Sequence, residues 1–353
     1  LGWGCGHLGH AGWVKAAGGG CAEGEVWAVK MCDDELLRFL LPYWAVTTNG
    51  IRQCEKPAEN KALYRLITVE GNVYFLKEVG SIEKRDEHRL EKVLSDYALL
   101  QHLFTLGVPV AVPVLTLSGL LYVQAEDRFY SLLPALPVFH TQLTPAVGQA
   151  MFLNLGIAIG RLHQALKIYP CQIHSWKMDL AQRTFDEAVP VLLNHLDEAG
   201  RRRLGAALES IEDPTRKLLN NLPAQHIHGD CHGGNVLFNG EQVSGFIDLD
   251  HLQFGPRIYD IGYFLADWIK NRYRDPSKIE LLSGTLPYLL QGYDQVTPLR
   301  LQEKQALIYT ILATQIIFSA WFFEPLSQPD LAHFNLDAFY WIFENKDRIS
   351  IDT

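Results

Sequence analysis

Asp230, Asn235 and Asp248 carry the chemistry that the sequence makes legible. They fall in one segment, HIHGDCHGGNVLFNGEQVSGFIDLD, from His226 to Asp250. Asp230 and Asn235 lie in a loop rich in glycine. A short strand, a turn at Asn239-Gly240 and a second strand then return the chain to Asp248. A hairpin of that kind sets its two open ends side by side, which brings Asp248 toward the loop. One carboxylate and one amide oxygen are hard ligands suited to Mg²⁺ carrying a nucleotide. A separate carboxylate is left to orient an attacking hydroxyl and take its proton. Those are the parts of phosphoryl transfer, where positioning and charge neutralisation dominate.

A different chemistry can be read from the same stretch. His226, His228, Asp230 and His232 form H-x-H-x-D-x-H, and alternating histidines on a strand can bind zinc. Dinuclear hydrolases place the last two residues of such a motif side by side, whereas Cys231 separates them here. That reading also leaves Asn235 and Asp248 without a role.

The order HGDxxxxN, then IDxD, then GPRxYDIG resembles the phosphotransferase family of aminoglycoside, choline, homoserine and methylthioribose kinases, relatives of the protein kinases. The resemblance spans roughly residues 47–345. It implies an α+β, two-lobed protein-kinase-like fold, with a small sheet-rich N-lobe and a large helical C-lobe, and ATP and Mg²⁺ as cofactors. Carried over by position, Asp230 matches the catalytic aspartate and Asn235 and Asp248 the metal ligands. Asp250 matches either a second Mg²⁺ ligand or an N-terminal cap of the segment after it. His228 and Asp260 match residues that support the loop, and His163 is expected to be packed. Cys231 and His232 are expected on the substrate side. Lys77, in VYFLKEV, stands where the family keeps its phosphate-binding lysine. Its helix partner matches Asp96, one methylene shorter than the usual glutamate, with Glu87 and Glu91 as alternatives. Asn60 matches the end of the phosphate-covering loop, which lacks the glycines of protein kinases, and Leu133–Leu136 the hinge that meets adenine.

The implied activity is transfer of the γ-phosphoryl group of ATP to a hydroxyl of a small metabolite. A protein Ser/Thr kinase of the same fold and a catalytically inactive relative are the alternatives, with metallohydrolase further off. The acceptor pocket is expected in the helices at 170–222 and 270–345, where no code is readable.

The elements that must position these residues emerge from periodicity. Residues 32–46 and 83–106 read as helices. Residues 62–68 and 72–79 read as a hairpin, and 112–117, 120–124 and 129–133 as short strands. Pro134 and Pro137 mark a boundary, giving an N-lobe at 31–134 and a C-lobe at 135–353. In the C-lobe, 145–167 is a long helix whose Gly156 and Gly160 suit close packing. Helices at 178–196 and 199–221 and strands at 236–238 and 243–248 come next, then helices to the end. Residues 1–30 precede the first methionine, Met31, and are rich in glycine without period. They read as an extension outside the fold, non-native or disordered.

The composition bounds the rest. The chain has 353 residues, 48% of them hydrophobic, with 31 Lys and Arg against 40 Asp and Glu, a net charge of −9. That balance disfavours a nucleic-acid partner. Six scattered cysteines without a C-x-x-C suggest reduced thiols and a cytoplasmic location. Ala306–Phe323 carries no charge and nears the length of a membrane span. Its Thr310, Thr314, Gln315 and Ser319 argue for a buried helix and no membrane partner. No feature specifies an oligomeric state.

Overall fold

Pro42 stops the first helix early. In the computed structural model, which describes residues 33–46, 50–56, 63–81, 87–140, 144–173, 175–249 and 252–349, helix α1 covers Asp33–Leu40 and a single 3-10 turn covers Leu41–Trp44. Proline has no N–H to continue the ladder, so the helix expected across 32–46 is cut in two. Residues 1–30 lie outside the described residues.

The sheet of the small lobe contains β1 (Ile51–Glu55), β2 (Leu63–Thr68), β3 (Val73–Ser81), β4 (Val123–Ala125) and β5 (Arg128–Pro134), antiparallel in the order β1-β2-β3-β5-β4. Leu40, Leu41 and Trp44 pack with Leu66, Leu76 and Leu132 into its core. Edge strand β1 is mostly polar and exposed, so alternation could not mark it. Helix α2 (Glu87–Thr105) comes after β3. Residues 112–117 are not a strand of this sheet. Pro113 has no donor there, and the segment is tied point by point, with Val114 N–H to Leu132 O at 2.7 Å and Leu117 N–H to Tyr43 O at 2.8 Å.

The large lobe opens with α3 (Pro145–Lys167), capped by Thr144. Two-residue β6 (Trp176–Lys177) and a π-helical stretch, Gln182–Ala188, lead into α4 (Val189–His195) and α5 (Glu198–Leu219). Then come β7 (Ala224–Ile227), β8 (Val236–Asn239), β9 (Gln242–Phe246) and β10 (Gln253–Pro256). Strands β8 and β9 form a hairpin, while β10 lies between β6 and β7. Helices α6 (Ile258–Lys270), α7 (Pro276–Val296), α8 (Leu301–Phe323), α9 (Pro329–Glu344) and α10 (Lys346–Ile349) complete the lobe.

Helices α3 and α7 touch backbone to backbone. A Cβ added at Gly156 would sit 2.0 Å from Leu289 O, and one at Gly292 would sit 2.0 Å from Leu153 O. Only glycine fits at either position. Helix α8 is the apolar candidate span, and 78% of its most apolar stretch is buried inside the protein. Its polar groups are satisfied there: Gln315 Nε2 donates to Ala266 O at 2.7 Å, and Thr310 and Thr314 to carbonyls one turn back.

Candidate functional site

Strand β7 delivers the chain into the loop 228–235, and the β8–β9 hairpin carries it back. Val236 pairs with Phe246, and Ile247 N–H donates to Asn235 O at 3.0 Å. That register puts Asp248 next to the loop's end. Asn235 Nδ2 donates both to Asp230 O at 2.9 Å and to Asp230 Oδ2 at 2.8 Å. Asp230 Oδ1 accepts from the Tyr263 hydroxyl at 2.9 Å.

Beneath the loop lies a buried polar network. Asp260, fully buried, accepts from His228 N–H at 2.8 Å and Gly229 N–H at 2.9 Å. It also accepts from His163 Nε2 at 2.8 Å, and His163 Nδ1 meets the Tyr293 hydroxyl at 2.8 Å. Burial opposes the charge on Asp260, but the His163 contact, His228 and the backbone donor outweigh it and hold the carboxyl below its usual range. His228 Nε2 donates to Ile247 O at 2.9 Å. Burial pushes its pKa down, against the pull of Asp260 and Asp230, so the ring is a neutral brace between loop and hairpin. Gly229 has φ +78°, a conformation side chains rarely adopt. Cys231 was expected on the substrate side, but it is fully buried. Burial pushes its thiol well up, with Asp260 and Asp230 adding to the shift.

Asp248 is exposed and sits in the left-handed region with φ 57°. Such strain costs of the order of 1 kcal/mol or more and concentrates at functional positions. Lys77 is at the middle of the sheet, in register with Leu63 and Ser131. On α2, Asp96 accepts from Lys92 at 2.7 Å. Leu133 pairs with Phe75, one residue before β5 ends at Pro134 opposite Tyr74. Leu136 packs over β9 so closely that a Cβ at Gly245 would fall 2.3 Å from its Cδ1. The linker beyond it joins the hairpin through Phe139 N–H to Phe238 O at 3.0 Å and a Ser244 hydroxyl bond to Pro137 O. Asn60 and Asp250 lie outside the described residues, and so does the side chain of Glu87.

A cleft of about 240 Å³ opens beside Asp230, lined by the loop with α6, α8 and α9. Helix α6 contributes Tyr263, Ala266, Asp267 and Lys270, and α8 contributes Gln315, Phe318 and Trp321. Arg257 clamps the two helices with two bonds to Glu303, at 2.6 and 2.7 Å. Sequence reasoning missed Tyr263 and Asp267, and it looked for the pocket partly in residues 170–222, which do not line this cleft. The available signal was the i, i+3, i+4, i+7 spacing of 263, 266, 267 and 270 on one face of α6. His232, the remaining loop residue expected on the substrate side, lines the cleft.

The donor set suits a hard cation. Asn235 commits its Nδ2 to Asp230, which leaves Oδ1 as its acceptor, and Asp248 offers a carboxylate to solvent. The zinc reading is not supported: among the described residues no three His, Cys, Asp or Glu side chains converge. His228 is spent on Ile247, and the His226 ring lies edge-on to Phe254 at 5.2 Å.

Comparison with known proteins gives a consistent picture. The profile of the phosphotransferase enzyme family matches residues 50–299. Homoserine kinase of Neisseria meningitidis serogroup B is 29% identical over 275 residues, covering 77% of this chain and 82% of that one. Among solved structures, an aminoglycoside phosphotransferase from Alicyclobacillus acidocaldarius superposes with a TM-score of 0.62 at 17% identity, covering 88% of this chain and 92% of that one. An amicoumacin kinase in complex with AMP-PNP and Ca²⁺ gives 0.60 at 18% identity, covering 87% and 93%. At these identities the structural likeness establishes the fold, a two-lobed kinase-like α+β architecture.

Proposed function

The chain belongs to the phosphotransferase enzyme family and is a kinase with an alcohol group as acceptor; from that premise we propose that it moves the γ-phosphoryl group of ATP to a hydroxyl of a small metabolite in the cytoplasm. The observation that carries this reading is the position of Asp230. Its carboxylate is held by Asn235 and Tyr263, beside the hairpin that bears Asp248, and Tyr263 in turn lines the 240 Å³ cleft.

In this mechanism Asp230 aligns the acceptor hydroxyl and takes its proton late, as the bond to phosphorus forms. Asn235 and Asp248, with Asp250 as a further ligand, would hold Mg²⁺. That ion would neutralise charge developing on the phosphates. Lys77 grips the α- and β-phosphates and Asp96 steers it. Asn60 belongs to the loop covering the phosphates. The segment Leu133–Leu136 meets adenine, with Leu136 fixed against Gly245. His228 and Asp260 keep the loop's backbone in place so that binding does not have to order it.

The test is ADP release and phosphate-ester formation, detected by mass spectrometry, over a panel of hydroxylated metabolites with ATP and Mg²⁺. Acceptor-dependent ester with the native chain and its loss in Asp230→Asn is the expected result. Equal ester from both proteins would overturn the reading.

A further inference from the structure

Two opposite charges sit on the cleft face of a helix that is otherwise buried. Asp267 and Lys270 are only 19% and 22% exposed, with Nζ and Oδ1 at 3.0 Å. Both line the cleft that touches Asp230 through Tyr263. Opposite them stand the aromatic rings of Phe318, Trp321 and Phe322, with Phe318 stacked on Tyr263 at 5.0 Å.

We propose that the acceptor is a small α-amino acid bearing a side-chain hydroxyl, with its ammonium group received by Asp267 and its carboxylate by Lys270. This rests on the kinase reading above. A zwitterion can exchange the Asp267–Lys270 contact for two contacts of the same sign pattern, leaving the net charge of the cleft unchanged. An amine without a carboxylate would face Lys270, and a hydroxy acid without an amine would face Asp267. A neutral polyol would leave both charges without use. The aromatic wall suits the methylenes between the charged end and the hydroxyl. At 240 Å³ the cleft is below the roughly 300–1,000 Å³ of sites for drug-sized ligands, which favours a small acceptor over a multi-ring amino sugar. In the reaction the side-chain oxygen bonds to the γ-phosphorus and the bond from that phosphorus to the β–γ bridging oxygen breaks. ADP leaves with the electron pair, and the hydroxyl proton goes to Asp230.

The experiment compares matched acceptors: hydroxylated α-amino acids of graded length, the corresponding amino alcohols without carboxylate, the hydroxy acids without amine, and a multi-ring amino sugar. Each is assayed for ADP and phosphate ester with the native chain, Lys270→Met, Asp267→Asn and Asp230→Asn. Asparagine at 267 keeps an oxygen for Gly233 N–H, which Asp267 accepts at 3.2 Å. An amino acid is expected to exceed both truncated analogues at least tenfold in kcat/KM. Lys270→Met should cost at least tenfold with the amino acid and under twofold with the amino alcohol. Asp267→Asn should penalise both amine-bearing acceptors and spare the hydroxy acid. A preference for the multi-ring sugar or a hydroxy acid, or an equal penalty for Lys270→Met on every acceptor, overturns the assignment and leaves the kinase reading standing. Failure of every acceptor, with Asp230→Asn indistinguishable from the native chain, removes both.

Discussion

Asp260 lies fully buried under three donors, whereas Asp248 stands exposed at the end of β9 with a left-handed backbone. Both carboxylates flank the same loop. The first is held by the protein and is inaccessible to any ligand. The second is presented to solvent at a cost in backbone strain. The difference separates two tasks. A loop that must hold Asp230 to within a fraction of an ångström is braced from below by groups that never leave. A carboxylate proposed to meet a cation arriving with the nucleotide has to stay open to it.

The largest expected effect is at the proposed base itself. Asp230→Asn should lower kcat by about 10²–10⁴-fold, the range for a lost general base, while nucleotide affinity by titration stays within about twofold. A loss under tenfold would mean that the braced loop serves binding alone.

Asp260 should behave as a stability residue. Asp260→Ala removes the acceptor for two backbone N–H groups and His163, and breaking a buried pair from one side costs about 3–5 kcal/mol. Denaturant melts would read this directly. The sign with pH is set by its lowered pKa. The contribution is fully present above the unfolded carboxyl value near 3.8 and is lost as pH falls through the lower folded value. His228, also depressed, adds a loss of stability as pH falls below its unfolded value of 6.5. Asp260→Asn should therefore show a shallower acid limb than the native chain.

At Asp248 the sign should reverse. Asp248→Gly relieves the left-handed strain and is expected to raise stability by about 1 kcal/mol, seen as a higher Tm, while abolishing metal-dependent turnover. A variant that is both less stable and active would erase the contrast between the two carboxylates.

The local part of this arrangement was legible, and the part made by packing between helices was not. Asp230, Asn235 and Asp248 are joined by one loop and one hairpin, so spacing alone brought them near each other. Gly156 stood out as a small residue on a long helix, but its reciprocal partner, Gly292, becomes evident only when α7 crosses α3. The same holds for Tyr263: its contact with Asp230 exists because α6 packs under the loop, and no spacing within α6 names the target. Strands β7 and β10 were missed because each is four residues long and pairs across an intervening hairpin. Residues 112–117 have strand composition, yet Pro113 and the bonds to Leu132 and Tyr43 make them a strap along the sheet.

The smallest expected effect concerns Asp96. It is paired with Lys92 one turn earlier on α2, with the two side chains 22% and 35% exposed, and a pair of that kind contributes about 0–1 kcal/mol. If that were all Asp96 did, Asp96→Ala and Lys92→Ala would lower Tm equally and leave nucleotide use alone. The proposed steering of Lys77 predicts an asymmetry instead. Asp96→Ala should raise the KM for nucleotide severalfold, because Lys77 must then find the phosphates unaided, while Lys92→Ala should leave that KM within about twofold. Asp96→Glu should recover part of the loss, since the longer side chain keeps the charge. Equal, small effects from both alanine variants, together with a raised nucleotide KM in Glu91→Ala, would move the partner of Lys77 to Glu91. The helix would then brace the lysine from a different turn, and the open, strained Asp248 would face a nucleotide lobe organised differently from the one proposed.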